Sequence, residues 1–257
     1  MSERSAADIE ADAIPEPPWT RTRRHRAAPR APLSRDAIVD AALRVIDREG
    51  LEAASMRRVA QELGTAPSAL YWHVRNKDEL LQLALDRVIG EIDLPPLDPG
   101  NWQDQLKQLA REMRRVLTRH GDIARVTLGS IPASPNALVV IEWVHALLRE
   151  AGLPDRIVAL VGDLAGLYVG AYAYEESLGL ASPTGEQLPP EAVLAMLHDY
   201  WASLPSERFP HTIALLPVLF EGDRDERFEF GLDVLVRGLE SLAADSSQKS
   251  SDARRRR

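Results

Sequence analysis

The chain has 257 residues, 45% of them apolar, which is enough for a substantial core in one large domain or two small ones. It contains no cysteine, which excludes disulfide bridges and thiolate metal sites. The formal net charge of -8 argues, by itself, against a nucleic-acid partner. No apolar stretch follows the N-terminal Met-Ser-Glu-Arg, so we expect no signal peptide and a cytoplasmic protein.

The charge is distributed unevenly along the chain. Residues 1–16 carry -4 (one Arg against five acids) and residues 17–77 carry +6 (12 Lys and Arg against six acids), which leaves -10 for residues 78–257. A basic segment joined to an acidic body is expected when one domain meets DNA phosphates and the other has a different task. This distribution favours a nucleic-acid partner for the basic segment, although the net charge of the whole chain is negative.

Residues 1–33 are rich in Pro, Ala and Arg and have no apolar periodicity, so we predict a disordered, Arg-rich N-terminal arm. Two interpretations of this arm remain open. It could be a solvated tail that raises non-specific attraction to DNA, or it could lay arginines in a minor groove beside the main site. The candidate arginines are Arg21, Arg23, Arg24 and Arg26.

Four helices are predicted next, and the first three form a domain over residues 34–78. Ser34 is a suitable N-cap and Gly50 a suitable stop for the first helix. Ser55 caps a second helix, Met56 to Leu63, which Gly64 ends. A third short helix runs from about Pro67 to His73, and a fourth begins near Lys77.

A Pro-rich break at residues 94–100 precedes more helices and is the expected hinge. We predict that residues 79–244 form an effector-binding and dimerisation domain, and that a polar, disordered tail follows at 245–257. Residues 205–222 read as irregular, apart from a turn near 212–220. The other helices in this domain are expected at about 101–120, 122–128, 135–151, 154–178, 191–203 and 225–244.

No strand pattern competes with these helices, so the predicted fold class is all-α: a three-helix DNA-binding domain followed by a helical body. Residues 158–174 are nearly all apolar, but this run is short and contains Asp163. A membrane span needs about 20 cleaner residues. We therefore expect a buried helix and no membrane association.

Two short helices joined by a glycine turn suit a helix-turn-helix unit. Its second helix must present small or polar groups to base edges and keep an apolar back, here Ala60, Leu63 and Leu70. Groups able to reach phosphates follow it. The alternative is a three-helix core with incidental surface aromatics. The candidate DNA-binding residues here are Thr65, Pro67, Ser68, Ala69, Tyr71, Trp72, His73 and Lys77.

The segments Ser55–Ala60, Leu63–Gly64 and especially Leu70–Lys77 resemble the DNA-binding domain of TetR-type repressors. Asn101–Asp104, Val126–Ser130 and Phe228–Asp233 resemble the C-terminal core of the tetracycline-repressor branch. The resemblance implies a homodimer on a palindromic operator, with helices 154–178 and 225–244 at the dimer interface. It also implies an effector that moves the helix at 78–92.

The same resemblance puts Arg57 and residues 67–69 at base edges, and Tyr71, Trp72 and Lys77 at or near the DNA backbone. A guanidinium is the fork that reads guanine O6 and N7. A phosphate contact is an equally good interpretation for Arg57.

One departure from the family concerns the effector. Where the tetracycline-binding branch has a histidine that helps hold a magnesium–drug chelate, this chain has Thr127, and the following threonine is replaced by Ser130. A hydroxyl is a poor substitute for imidazole as a metal ligand. We expect a larger apolar or aromatic effector, such as an antibiotic or its precursor, with no metal and no cofactor. The candidate effector-binding residues are Met113, Thr127, Ser130, Trp143, Tyr168 and Tyr172.

Gly162, Gly166 and Gly170 recur every four residues on one face of the helix at 154–178. Such a stripe allows close helix packing or opens room for a ligand beside Tyr168 and Tyr172, and we favour packing.

Three functions compete. The first is a ligand-responsive repressor of a transporter or resistance gene, and the second is a dimeric DNA-binding regulator without an effector. The third, a helical enzyme, has little support, because the sequence shows no Ser/His/Asp or Cys/His set, no phosphate loop and no metal motif.

Overall fold

The computed structural model describes residues 33–178 and 189–255, with 245–255 described as backbone only. No strand occurs within these ranges, and the predicted all-α class is confirmed. The arm, with Arg21, Arg23, Arg24 and Arg26, lies outside the described residues.

The helices follow one another with short connections. The first four are α1 (Arg35–Glu49), α2 (Met56–Leu63), α3 (Pro67–Leu70) and α4 (Lys77–Ile89). The body comprises α5 (Trp102–Thr118), α6 (Ala124–Thr127), α7 (Pro135–Glu150), α8 (Asp155–Leu178), α9 (Pro190–Ala202), α10 (Pro210–Leu219) and α11 (Arg224–Arg255).

Local capping explains the helix bounds in the N-terminal domain. Ser34 Oγ accepts a hydrogen bond from the Ala37 N–H at 3.1 Å, and Ser55 Oγ accepts one from Arg58 at 3.2 Å. Each bond satisfies an N–H that the first helical turn leaves free. Gly50 ends α1 with φ +83°, a conformation that favours glycine. The predicted bounds of α1 and α2 are confirmed at both ends.

The largest differences from the sequence-based expectation concern α3, α10 and α11. α3 ends at Leu70, and residues 71–73 form a turn whose His73 and Val74 N–H groups both donate to the Leu70 carbonyl. Residues 210–219 are a full helix where we expected only a turn, because Pro210 occupies its first turn and Leu216 is buried. α11 continues to Arg255, eleven residues past the expected end, since no Gly or Pro interrupts residues 239–255.

The N-terminal domain has an apolar core to which α4 contributes. Leu80, Ala84 and Val88 of α4 are fully buried, and α4 packs against α1. Arg87 strengthens this contact with ion pairs to Asp36 and Asp40 at 2.7 and 2.8 Å. α4 also packs against α5, α6 and α7, so one helix belongs to both the DNA-binding domain and the body.

The long helix α8 is the centre of the body and contacts α5, α6, α7 and α11. Among the described residues it is the one helix long and apolar enough to cross a membrane by length and composition. Leu160 and Leu164 of α8 are each more than half exposed in the single chain.

A ladder of ion pairs joins α5 to α11. Lys107 pairs with Asp233, Arg111 with Glu229 at 2.6 Å, and Arg114 with Asp225 at 2.7 Å. The two helices thereby expose matching rows of opposite charge to each other. The Arg111 hydrogen bond lowers the pKa of Glu229 below its usual value.

Candidate DNA-reading surface and effector cavity

The turn between α2 and α3 has the geometry that a helix-turn-helix needs. Gly64 adopts a left-handed conformation with φ +63°, which a residue with a Cβ rarely adopts. The Gly64 N–H donates to Gln61 O at 3.0 Å and the Thr65 N–H to Ala60 O at 2.9 Å, which closes the end of α2. The chain then reverses into α3, with Ala60 and Leu70 buried behind it.

The front of this unit is open to solvent. Arg57, Pro67 and Ser68 are exposed, and Thr65 and Ala69 are partly exposed. Tyr71 is 54% exposed and Trp72 is 89% exposed, which is unusual for large aromatic side chains in a well-packed domain. The structure therefore brings the small predicted residues and the two aromatic ones to one end of the domain.

The adjacent arginines Arg57 and Arg58 have different environments. Arg58 is held by Glu49 at 2.5 Å and by Glu62 at 3.2 Å, and the Arg58 hydrogen bond lowers the pKa of the Glu49 carboxyl. The exposed Arg57 side chain makes no hydrogen bond or ion pair with any other described residue. Of the two guanidinium groups, only that of Arg57 is left without a partner among the described residues.

Two other residues predicted to bind DNA are less accessible than Arg57. Lys77 Nζ lies 3.4 Å from the Glu52 carbonyl oxygen and 3.9 Å from the Glu52 carboxylate, so its charge is already partly balanced. His73 is partly exposed and lies in the turn after α3.

An apolar cavity of about 370 Å³ lies in the body. α4, α5, α7 and α8 and the segment 127–132 supply its walls, and its size suits a small organic molecule. Met113, Thr127 and Ser130, three of the predicted effector-binding residues, line it. Its polar lining residues are Gln82, Thr127, Ser130, Ser134, His145 and Asp163.

The other three predicted effector-binding residues lie elsewhere. Tyr168 and Tyr172 pack with Phe228 of α11 in an aromatic cluster, with ring centroids 4.9 to 5.4 Å apart, and Tyr168 donates a hydrogen bond to the Phe228 carbonyl. Burial in this cluster raises the pKa of Tyr168. Trp143 Nε1 donates to the Pro95 carbonyl at 2.8 Å and fixes the connection before α5. These three side chains do not line the cavity, and each is engaged in packing or hydrogen bonding, so their role as effector contacts stays a prediction.

The glycine stripe on α8 divides between the two roles considered for it. Gly162 and Gly166 line the cavity, and a Cβ on either would meet no atom within 4 Å. A Cβ on Gly170 would lie 2.5 Å from Thr127 Oγ1, so this glycine allows close packing of α8 against α6. Packing explains Gly170 alone, and the other two glycines leave room in the cavity.

Sequence reasoning missed Gln82. It lies on α4 with Leu85 and Ile89, and these three residues line the cavity at helical spacing, together with Ile92 just after the helix. The sequence did carry a signal for this position, because a polar residue stands there at helical spacing from three apolar ones.

The described residues contain no group of three or more His, Asp or Glu side chains placed to hold a metal ion. The Thr127 hydroxyl donates to the Ala124 carbonyl at 2.6 Å. A hydroxyl engaged in this way does not replace an imidazole ligand, so these residues do not fit a magnesium–tetracycline chelate.

The DNA-binding domain and the body are also joined by polar contacts. His120, at the end of α5, has Nδ1 3.2 Å from Asp47 of α1 and Nε2 3.0 Å from Glu91, which follows α4. Leu117 and Ile92, close in sequence to His120 and Glu91, line the cavity. The walls of the cavity are therefore continuous with the contacts that hold the DNA-binding domain.

A solvent-facing helix-turn-helix on a helical body with an apolar cavity defines a DNA-binding transcriptional regulator. Residues 38–84 match the family model for bacterial regulatory proteins of the tetR family. Residues 94–243 match the model for the tetracyclin repressor-like C-terminal domain. The chain belongs to the TetR family, as its Leu70–Lys77 segment indicated.

Curated relatives cover most of the chain. The HTH-type transcriptional repressor DrrR1 of Streptomyces coeruleorubidus is 36% identical over 231 residues, which is 88% of this chain and 84% of that protein. The tetracycline repressor protein class C of Escherichia coli is 30% identical over 217 residues, 82% of this chain and 92% of that protein.

Solved structures show the same fold. The TetR family protein ActR of Streptomyces coelicolor, in complex with actinorhodin, is 41% identical with a TM-score of 0.75. The match covers 83% of this chain and 99% of that one. Apo ActR gives a TM-score of 0.76 at 40% identity, covering 84% and 99% of the two chains.

Proposed function

We propose that this protein is a repressor that binds an operator through α2 and α3 and is released by an apolar or aromatic molecule in the body cavity. The observation that carries the proposal is the position of α4. One side of this helix packs in the DNA-binding domain through Leu80 and Val88, and another lines the cavity through Leu85 and Ile89. A ligand that displaces the cavity side must also displace the domain behind it.

The relatives support both the repression of a gene and the binding of a small molecule. DrrR1 is named a transcriptional repressor, and ActR has been solved with actinorhodin bound. The apolar lining of the cavity and its size are consistent with an aromatic effector. We propose an antibiotic-like compound as effector and an efflux or resistance gene as the regulated target.

We further propose that the protein is a cytoplasmic homodimer on a palindromic operator and has no catalytic activity. The exposed side of α8 and exposed Phe230 and Val234 of α11 form an apolar surface that a second copy could cover. Two helix-turn-helix units related by a two-fold axis would match the two halves of a palindromic operator.

The test is an electrophoretic mobility-shift assay with genomic fragments, followed by a compound screen for release of the complex. A shifted fragment that an aromatic compound releases supports the proposal. A shifted fragment that no compound releases would favour the regulator without an effector, and no shift at all would contradict DNA binding.

A further inference from the structure

The polar groups on one wall of the cavity form a linked chain of hydrogen bonds. Ser130 Oγ lies within hydrogen-bond distance of the Val126 carbonyl, and Gln82 Nε2 lies 2.7 Å from Ser130 Oγ. A carbonyl oxygen can only accept, so the Ser130 hydroxyl donates to Val126. Ser130 must then accept from Gln82, and this fixes which end of the Gln82 amide faces it.

The orientation of the amide determines what Gln82 offers to a ligand. With Nε2 directed to Ser130, Gln82 Oε1 has no hydrogen-bond partner among the described residues. Gln82 is an exposed residue of α4 that also lines the cavity. An amide oxygen accepts hydrogen bonds and cannot donate them.

Thr127 follows the same rule. Its hydroxyl proton is donated to the Ala124 carbonyl, so its oxygen is left as an acceptor, although close packing against Gly170 restricts access to it. Apart from the second amide proton of Gln82, these three side chains therefore present acceptors. The ionisable residues among the described lining are Asp163 and His145, with no Lys or Arg, so an anionic ligand would meet no permanent positive charge.

Building on the proposed function, we infer that the effector is a neutral, largely apolar molecule with a hydroxyl or N–H donor, and that Gln82 Oε1 is the acceptor that recognises this donor. Because Gln82 lies on α4, the group that selects the ligand is on the helix shared with the DNA-binding domain. Selection of the ligand and displacement of α4 then both depend on the hydrogen bond between the ligand donor and Gln82 Oε1.

The test compares 2-naphthol, its donor-free analogue 2-methoxynaphthalene and the anion 2-naphthoate by calorimetric titration of the full-length protein. We expect 2-naphthol to bind about five- to tenfold more tightly than the ether, the effect of one hydrogen bond. 2-Naphthoate should bind more weakly than 2-naphthol.

Gln82→Leu removes the acceptor and should abolish the preference for 2-naphthol while leaving the affinity for 2-methoxynaphthalene within about twofold of wild type. Ser130→Ala frees the amide to rotate and should reduce the preference. Gln103→Leu is the matched control, because Gln103 pairs with Glu240 outside the cavity, and it should keep the wild-type preference.

A preference for 2-naphthol that persists in Gln82→Leu would overturn the assignment of Gln82. Equal binding of 2-naphthol and its ether to wild type, or tighter binding of 2-naphthoate, would overturn the ligand class and leave the cavity intact as an effector site. Failure of the cavity to take up any of the probes would count against this inference and the proposed effector site together, whereas the operator shift would still test DNA binding separately.

Discussion

The carboxylate of Asp122 accepts a 2.6 Å hydrogen bond from the backbone N–H of Leu51. Leu51 belongs to the DNA-binding domain and is 5% exposed, whereas Asp122 lies in the turn before α6 in the body. This bond spans 71 positions of sequence and links the two parts directly through a backbone group.

Removal of this acceptor should destabilise the protein. Asp122→Ala leaves the Leu51 N–H without a partner, which costs about 1–3 kcal/mol. For a chain of this size each kcal/mol lowers the Tm by roughly 2–4 °C. Thermal unfolding followed by circular dichroism measures the change, and Asp122→Asn, which keeps an acceptor oxygen, should lose much less. Equal losses in the two variants would mean that the hydrogen bond to Leu51 is not responsible.

Arg57→Ala and Tyr71→Ala should each weaken operator binding without changing the fold. Each removes an exposed group from the front of the reading unit, and a good contact to DNA is worth about 1–3 kcal/mol. Fluorescence anisotropy titration at one fixed salt concentration gives the affinities. Arg149→Ala, at an exposed arginine of α7, is the control. Wild-type operator affinity in both Arg57→Ala and Tyr71→Ala would contradict the assignment of this surface to DNA binding.

The three glycines of α8 should respond differently to alanine. Gly170→Ala puts a Cβ against Thr127 Oγ1 and should destabilise the protein. Gly162→Ala and Gly166→Ala meet open space, and each should stabilise the helix by about 0.5–1 kcal/mol. Urea unfolding at one protein concentration distinguishes them. Destabilisation by all three substitutions would show that the whole stripe is packed.

The α5–α11 ladder predicts a pH dependence. Arg111 lowers the pKa of folded Glu229 below the ordinary 4.5, so this pair adds stability above that value and loses it as the pH falls through the lower folded pKa. Glu229→Gln should therefore be less stable than wild type near pH 7, and the difference should shrink in acid. Urea unfolding over a pH series measures this, with exposed Glu142→Gln as control. A difference that persists unchanged in acid would exclude the ion pair as its source.

The DNA-binding domain was predictable from sequence because its determinants are local. Ser34, Ser55, Gly50 and Gly64 cap or end helices whose apolar residues repeat at a clear spacing. The family resemblance carried by Leu70–Lys77 then supplied the function, and the family models confirm it.

The cavity was less predictable because its lining depends on which helix faces meet. Size and chemistry suggested ligand contacts at Trp143, Tyr168 and Tyr172. In the structure, Trp143 is hydrogen-bonded to the Pro95 carbonyl, and the two tyrosines pack against Phe228. Both partners are distant in sequence. The position of Gln82 in the cavity wall follows only from the packing of α4 against α6 and α7.

The most direct test of the account measures operator affinity with and without a saturating compound from the release screen, in wild type and in Ala110→Leu. Ala110 of α5 is buried and lines the cavity, so a leucine there occupies ligand space. We predict that the compound weakens operator binding by wild type about 5- to 150-fold, the usual range for coupled sites. The variant should bind the operator but resist the compound. Equal release of both proteins would contradict control of DNA binding through this cavity.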